Sequence, residues 1–129
     1  MDVKNKRVVV TGAASGIGKA LCEAFHQAEA KTVIAVDMNL EGAQDTADSV
    51  NGIAVQANVG NEEEIINVIQ KADEHAGGTD IFCSNAGIGG VPGFFEVEAS
   101  DWQNIWDVNV QSHIFAAKHV LPQMIDRGE

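Results

Sequence analysis

At 129 residues, 45% apolar and 21% charged, the chain has the size and composition of one soluble globular domain able to bury a core. Its net charge of −11 and pI near 4.6 would repel a phosphate polymer over most of the surface, which argues against nucleic acid as a partner. No apolar run approaches membrane-spanning length, the start MDVKNKRVVV is no secretory leader, and Cys22 and Cys83 match no paired metal or redox spacing, so a cytoplasmic chain with no metal and no membrane partner is expected.

The first predicted strand is Arg7–Thr11, a run of β-branched residues that ends at Gly12, Gly16 and Gly18. A helical pattern follows over 16–30, then a second strand over Thr32–Asp37 and a helix over 40–50. The third strand is placed at 53–58. The helix after it, Glu62–Ala76, is announced by an Asn61 cap and by three glutamates that suit the positive end of the helix dipole. A fourth strand is expected at 80–85, and the glycine- and proline-bearing stretch 87–98 reads as a loop. Last comes one long helix, with Ser100 and Gln103 as its capping box and with apolar positions near Trp102, Ile105, Trp106, Ala116, Val120 and Met124. Pro122 should kink or end it.

Strands without polar alternation are covered on both faces, and successive βα units make right-handed crossovers. The expected architecture is therefore α/β: a doubly wound parallel sheet of order 3-2-1-4. Its first two helices lie on one face and its last two on the other. A ligand belongs where the order reverses, between strands one and four.

Three glycines between a strand and a helix suit a diphosphate held by backbone N–H groups. Gly12 would turn the chain, Gly16 would admit the phosphate and Gly18 would let the helix pack close. Asp37, about 25 residues after the glycine turn begins, stands where a carboxylate accepts from an adenosine ribose. Neither Met38 nor Asn39 is basic, and neither is any residue of Ala13-Ala14-Ser15, so a 2′-phosphate would meet no cation. NAD is expected over NADP.

Thr11-Gly-Ala-Ala-Ser-Gly-Ile-Gly18 resembles the TGxxxGxG cofactor motif of the short-chain dehydrogenase/reductase family. Asn85-Ala-Gly87 resembles its NAG motif, and Asn109 in Asp107-Val-Asn-Val110 resembles its helix asparagine. The resemblance runs over essentially the whole chain. It implies a Rossmann-type fold, NAD binding and oxidoreductase ancestry, with hydride transfer to or from an alcohol or carbonyl. It also implies a cofactor-binding set of Gly12, Ser15, Gly16, Ile17, Gly18, Asp37, Met38, Asn58, Val59, Asn85, Ala86 and Gly87. Asn58 departs from the family, which usually has aspartate beside the adenine, but its side-chain oxygen still accepts a hydrogen bond. Asn85 reads either as a cofactor contact or as a joint between strands. Asn109 reads as a member of the family's catalytic tetrad or as a hydrogen-bonded helix residue. His113 and His119 are six apart, which does not put two imidazoles on one helix face, so solvated or packed histidines are expected.

The family's chemistry uses a serine and a Tyr-x-x-x-Lys pair. This sequence contains no tyrosine. The reading is thus a single domain over 1–129, truncated after its fourth βα unit, which binds NAD and is inactive alone. General acid–base assistance is worth roughly 10²–10⁴-fold in rate. Two alternatives remain: a non-catalytic dinucleotide-binding or dimerisation module, and a Rossmann-like methyltransferase. An edge fourth strand and an undercovered last helix predict self-association. The substrate, an unknown small alcohol or carbonyl, is beyond the sequence.

Overall fold

In a computed structural model that describes residues 2–90 and 92–128, the valine run of β1 (Arg7–Thr11) forms the second strand in from one edge of a parallel sheet. Met1 and Glu129 of the expected domain, and Val91 of the expected loop, lie outside the described residues. Val9 pairs with Ile34 of β2 (Thr32–Asp37) on one side and with Phe82 of β4 (Ile81–Cys83) on the other. β3 (Ile53–Gln56) pairs with the far side of β2, giving the order β3-β2-β1-β4 that the alternation of strands and helices predicts.

Strand geometry sends alternate side chains to opposite faces, and both faces are apolar because both are covered. Val8, Val10 and Ala35 pack in one layer with Cys22 of α1 (Gly16–Gln27) and Ala47 of α2 (Leu40–Ser49). Val9, Ile34 and Val36 pack on the other face with Val68 and Ala72 of α3 (Glu62–Ala76). Ile65 and Ile69 of α3 extend that layer to Val120 of the last helix. The distribution of helices over the two faces is the expected one. Val8, Val9 and Val10 are wholly buried, and each contributes about 2 kcal/mol by removing its apolar surface from water.

The last helical stretch is more complex than one long helix. α4 (Ala99–Trp106) passes into a π turn (Asp107–Gln111) and on into α5 (Ser112–Arg127). The expected capping box of Ser100 and Gln103 is not the one formed. Glu98 is the N-cap, and the Asp101 carboxylate accepts from the Glu98 N–H at 2.9 Å. Acid at the third helical position does this better than Gln103, and it also meets the helix dipole. Pro122 does not end the helix, which continues to Arg127. β3 and β4 are shorter than predicted, stopping at Gln56 and Cys83, and α1 stops at Gln27. The Asn61 cap is as expected: its side-chain oxygen accepts from the N–H groups of Glu63 and Glu64.

Candidate functional site

All four strands are parallel, so the loops leaving their carboxyl ends gather at one edge of the sheet. Backbone and side-chain bonds set these loops. The turn after β1 is tied to the end of β2, with Ala13 N–H donating to Val36 O at 3.0 Å and Ala14 N–H donating to the Asp37 carboxylate at 3.0 Å. The other Asp37 oxygen accepts from Asn39 N–H at 3.0 Å. Two backbone donors therefore hold this carboxylate at the rim of the cleft. The buried Thr46 hydroxyl donates to Ala13 O and anchors the turn from beneath.

Across the cleft, Thr11 binds the loop after β4. Its buried hydroxyl accepts from Asn85 N–H at 2.9 Å and from Ala86 N–H at 3.0 Å, while the Asn85 amide donates to Thr11 O at 2.9 Å. Asn85 is thus a joint between β1 and β4, one of its two sequence readings. Asn109 makes a two-point contact with the same loop, its side-chain oxygen accepting from Ile88 N–H and its amide donating to Ile88 O, both at 2.8 Å. Its side chain secures a loop on another element.

Two pockets open between these walls. Gly12, Ser15, Gly16, Ile17, Gly18, Asp37, Asn85, Ala86 and Gly87 line one; Gly12, Asp37, Met38, Asn58, Val59, Ala86 and Gly87 are among the residues that line the other. Gly12, Asp37, Ala86 and Gly87 belong to both, so the two form one continuous cleft. The structure thus brings the twelve residues singled out as a cofactor set to a single groove. Ala57, Ile88 and Val108 also line it and were not anticipated. Only their adjacency to Asn58, Gly87 and Asn109 in the sequence hinted at them. Asn58 sits at the groove, but its side-chain oxygen accepts from Gly60 N–H at 3.0 Å. An adenine amino group would have to share that oxygen.

α1 begins at Gly16 with Ser15 as its N-cap, and the Ser15 hydroxyl makes no capping bond, which leaves first-turn N–H groups open to a ligand. A side chain at Gly16 would meet nothing within 4 Å, and its φ of +54° favours glycine. Gly18 is different in kind: an added Cβ would lie 1.9 Å from Gly12 O. Asp37 is the one charged side chain among the residues that line the two pockets. No basic residue is among them.

Cys22 and Cys83 lie away from the groove, against the layer that faces α1 and α2. Burial pushes the Cys22 thiol up to about 11 and raises that of Cys83, which favours the protonated form of both. His113 is exposed, and His119 Nε2 lies 2.7 Å from the Glu62 carboxylate. No group of three or more potential metal ligands occurs among the described residues.

Comparison with known proteins gives a consistent picture. The family model described as short chain dehydrogenase matches residues 6–129. The chain is similar to glucose 1-dehydrogenase 2 of Bacillus subtilis, with 35% identity over 130 residues covering 96% of this chain and 50% of that protein. It is similar to 1-deoxy-11-beta-hydroxypentalenate dehydrogenase of Streptomyces exfoliatus, with 34% identity covering 99% of this chain and 49% of that one. A crystal structure of a short-chain glucose/ribitol dehydrogenase from Brucella melitensis superposes with a TM-score of 0.86 at 28% identity, covering 95% of this chain and 53% of that one. The chain spans about half the length of the curated relatives it matches.

Proposed function

The chain belongs to the short chain dehydrogenase family of oxidoreductases, and from that membership we propose that it binds NAD in the groove at the carboxyl ends of β1, β2, β3 and β4. Membership implies a nicotinamide dinucleotide; the choice of NAD over NADP is this reading's own. One observation carries it. The Asp37 carboxylate, held by two backbone N–H groups, stands where the two pockets meet, beside the open first turn of α1.

In this reading the first-turn N–H groups of α1 and the backbone around Gly12 and Gly16 take the diphosphate, and Asp37 accepts from the adenosine ribose hydroxyls. Met38, Asn58 and Val59 flank the adenine; Ala86 and Gly87 form the opposite wall. Ile17, 74% exposed beside Gly16, covers the diphosphate from the solvent side. Asn109 is the family tetrad position, and here it serves by holding Ile88. Bound nicotinamide would supply the hydride acceptor or donor for an alcohol or carbonyl substrate. The 129 residues contain no tyrosine to exchange the accompanying proton, so this span binds without turnover and forms the cofactor half of a complete enzyme.

The exposed apolar residues Ile114, Leu121 and Ile125 of α5 and the edge position of β4 support self-association as a further part of the proposal. No helix among the described residues is long and apolar enough to cross a membrane; a cytoplasmic location belongs to the same proposal.

Calorimetric titration of one sample with NAD and then NADP tests the reading, followed by an assay for oxidation of simple alcohols. NAD binding tighter than NADP, with no turnover, is expected. Absence of NAD binding would overturn the cofactor assignment, and turnover would overturn the account of the missing acid.

A further inference from the structure

The π turn at Asp107–Gln111 touches both sides of the groove. Val108 lines it, and Val108 Cγ2 lies 3.3 Å from where a side chain at Gly60 would begin, under the loop after β3. Asn109, the next residue, binds Ile88 in the loop after β4. A π turn adds one residue to a helical turn, so the hydrogen-bond ladder slips by one position. The slip is visible at Ser112, whose N–H donates to Asp107 O, five residues back. In a regular helix that N–H would serve Val108 O. Here the hydroxyl of the same residue does so: Ser112 Oγ donates to Val108 O at 2.6 Å, and Ser112 is 1% exposed. A serine hydroxyl bonded four residues back is common in helices, where it shares the carbonyl with the backbone donor. At Ser112 the backbone donor has gone elsewhere.

We infer that Ser112 is a positioning residue: its hydroxyl stabilises the π turn, and the turn aims the Asn109 amide at Ile88 to fix one wall of the groove. Without the hydroxyl, the competing arrangement in which the Ser112 N–H serves Val108 O, the regular helical ladder, gains ground. Removing one residue from the turn rotates the preceding segment by about 100° relative to α5. Asn109 then no longer faces Ile88. The consequence for cofactor affinity rests on the nucleotide reading given above; the effect on Ile88 does not.

The test uses the 129-residue chain and two independent readouts: amide hydrogen exchange at Ile88 by NMR without ligand, and NAD affinity by calorimetry. Loss of the Ser112 hydrogen bond should speed Ile88 exchange by about fivefold or more in Ser112→Ala and weaken NAD binding by a similar factor. Ser112→Thr, which keeps the hydroxyl, should restore most of the protection. Asn109→Ala should release Ile88 to the same degree, and the double variant should exchange no faster than Asn109→Ala alone. Should Ser112→Ala not fold, Ser112→Cys, with its weaker donor, carries the same comparison. Unchanged Ile88 protection in Ser112→Ala, or Ser112→Thr exchanging as fast as Ser112→Ala, would overturn the inference. If the wild type fails to bind NAD, the nucleotide reading falls, and the Ile88 arm still decides the role of Ser112.

Discussion

A methyl group added at Gly18 would lie 1.9 Å from the Gly12 carbonyl oxygen and 2.6 Å from its carbon, backbone atoms that have no rotamer to escape into. The third neighbour, Asn85 Nδ2 at 3.0 Å, is itself committed to Thr11 O. An ordinary contact begins near 3.4 Å, so α1 would have to back off by about 1.5 Å (3.4 less 1.9). That shift would unpack Cys22, which is fully buried on the same helix. Overpacking of this kind costs about 3 kcal/mol, at the upper end of its usual range. Gly16→Ala is the control, because its methyl meets nothing within 4 Å and it carries only the strain of φ +54°, about 1 kcal/mol. With a urea m-value of about 2 kcal/mol/M, the unfolding midpoint should fall by about 1.5 M for Gly18→Ala and about 0.5 M for Gly16→Ala. Far-ultraviolet circular dichroism reports the transition. In NAD titration the order is different: Gly16→Ala, folded but with a methyl facing the proposed diphosphate, should lose at least about tenfold in affinity, or 1.4 kcal/mol. Equal midpoints for the two variants would refute the close approach at Gly18. Full NAD affinity in Gly16→Ala would refute the diphosphate position.

Asp37→Asn keeps one acceptor oxygen and loses the charge, so NAD affinity should fall about tenfold, the worth of one charge-assisted hydrogen bond. Its preference over NADP should narrow; an unchanged NAD/NADP ratio in paired titrations would count against the ribose contact. Lys118 first and then His119 hold the Glu62 carboxyl below its ordinary 4.5. A depressed folded value means that the bridge between α3 and α5 contributes above that range and is lost as pH falls through the folded value. Thermal midpoints of wild type and Glu62→Gln should therefore differ at neutral pH and converge in acid, and a gap that persists in acid would exclude the ion pair as its cause. Ile125 is 70% exposed on α5 beside Leu121 at 47%. Light scattering over a dilution series should show a concentration-dependent oligomer that Ile125→Glu shifts toward monomer, and a wild-type monomer at every concentration would end the self-association proposal.

Local chemistry made most of the fold legible. β-branched runs without polar alternation located β1 and β2, and the glycines after Thr11 marked the junction with α1. The βα alternation then set the order of the sheet, and with it the meeting of Gly12, Asp37 and Asn85 at one groove. What escaped depends on contacts distant in sequence or on competition between near-equal choices. Glu98-Ala-Ser-Asp101 and Ser100-Asp-Trp-Gln103 are both plausible helix starts, and the charged box prevailed. A π turn changes hydrogen-bond partners by one residue and leaves no trace in hydrophobic period, so Ser112 and Val108 drew no notice. Asn58 was read for a ligand, while its oxygen is already engaged by Gly60, a bond set by the local turn.

β4 pairs with β1 over only three residues, and so short a ladder resists slippage poorly. The Thr11 hydroxyl compensates as a rivet just beyond the last rung, gathering the Asn85 and Ala86 N–H groups onto one oxygen. The two lips that it joins must then travel together. On the opposite bank Met38 is 61% exposed, so its side chain can adjust to a guest without disturbing that joint. Selectivity among guests can change there without loosening the seam on which the strand order depends.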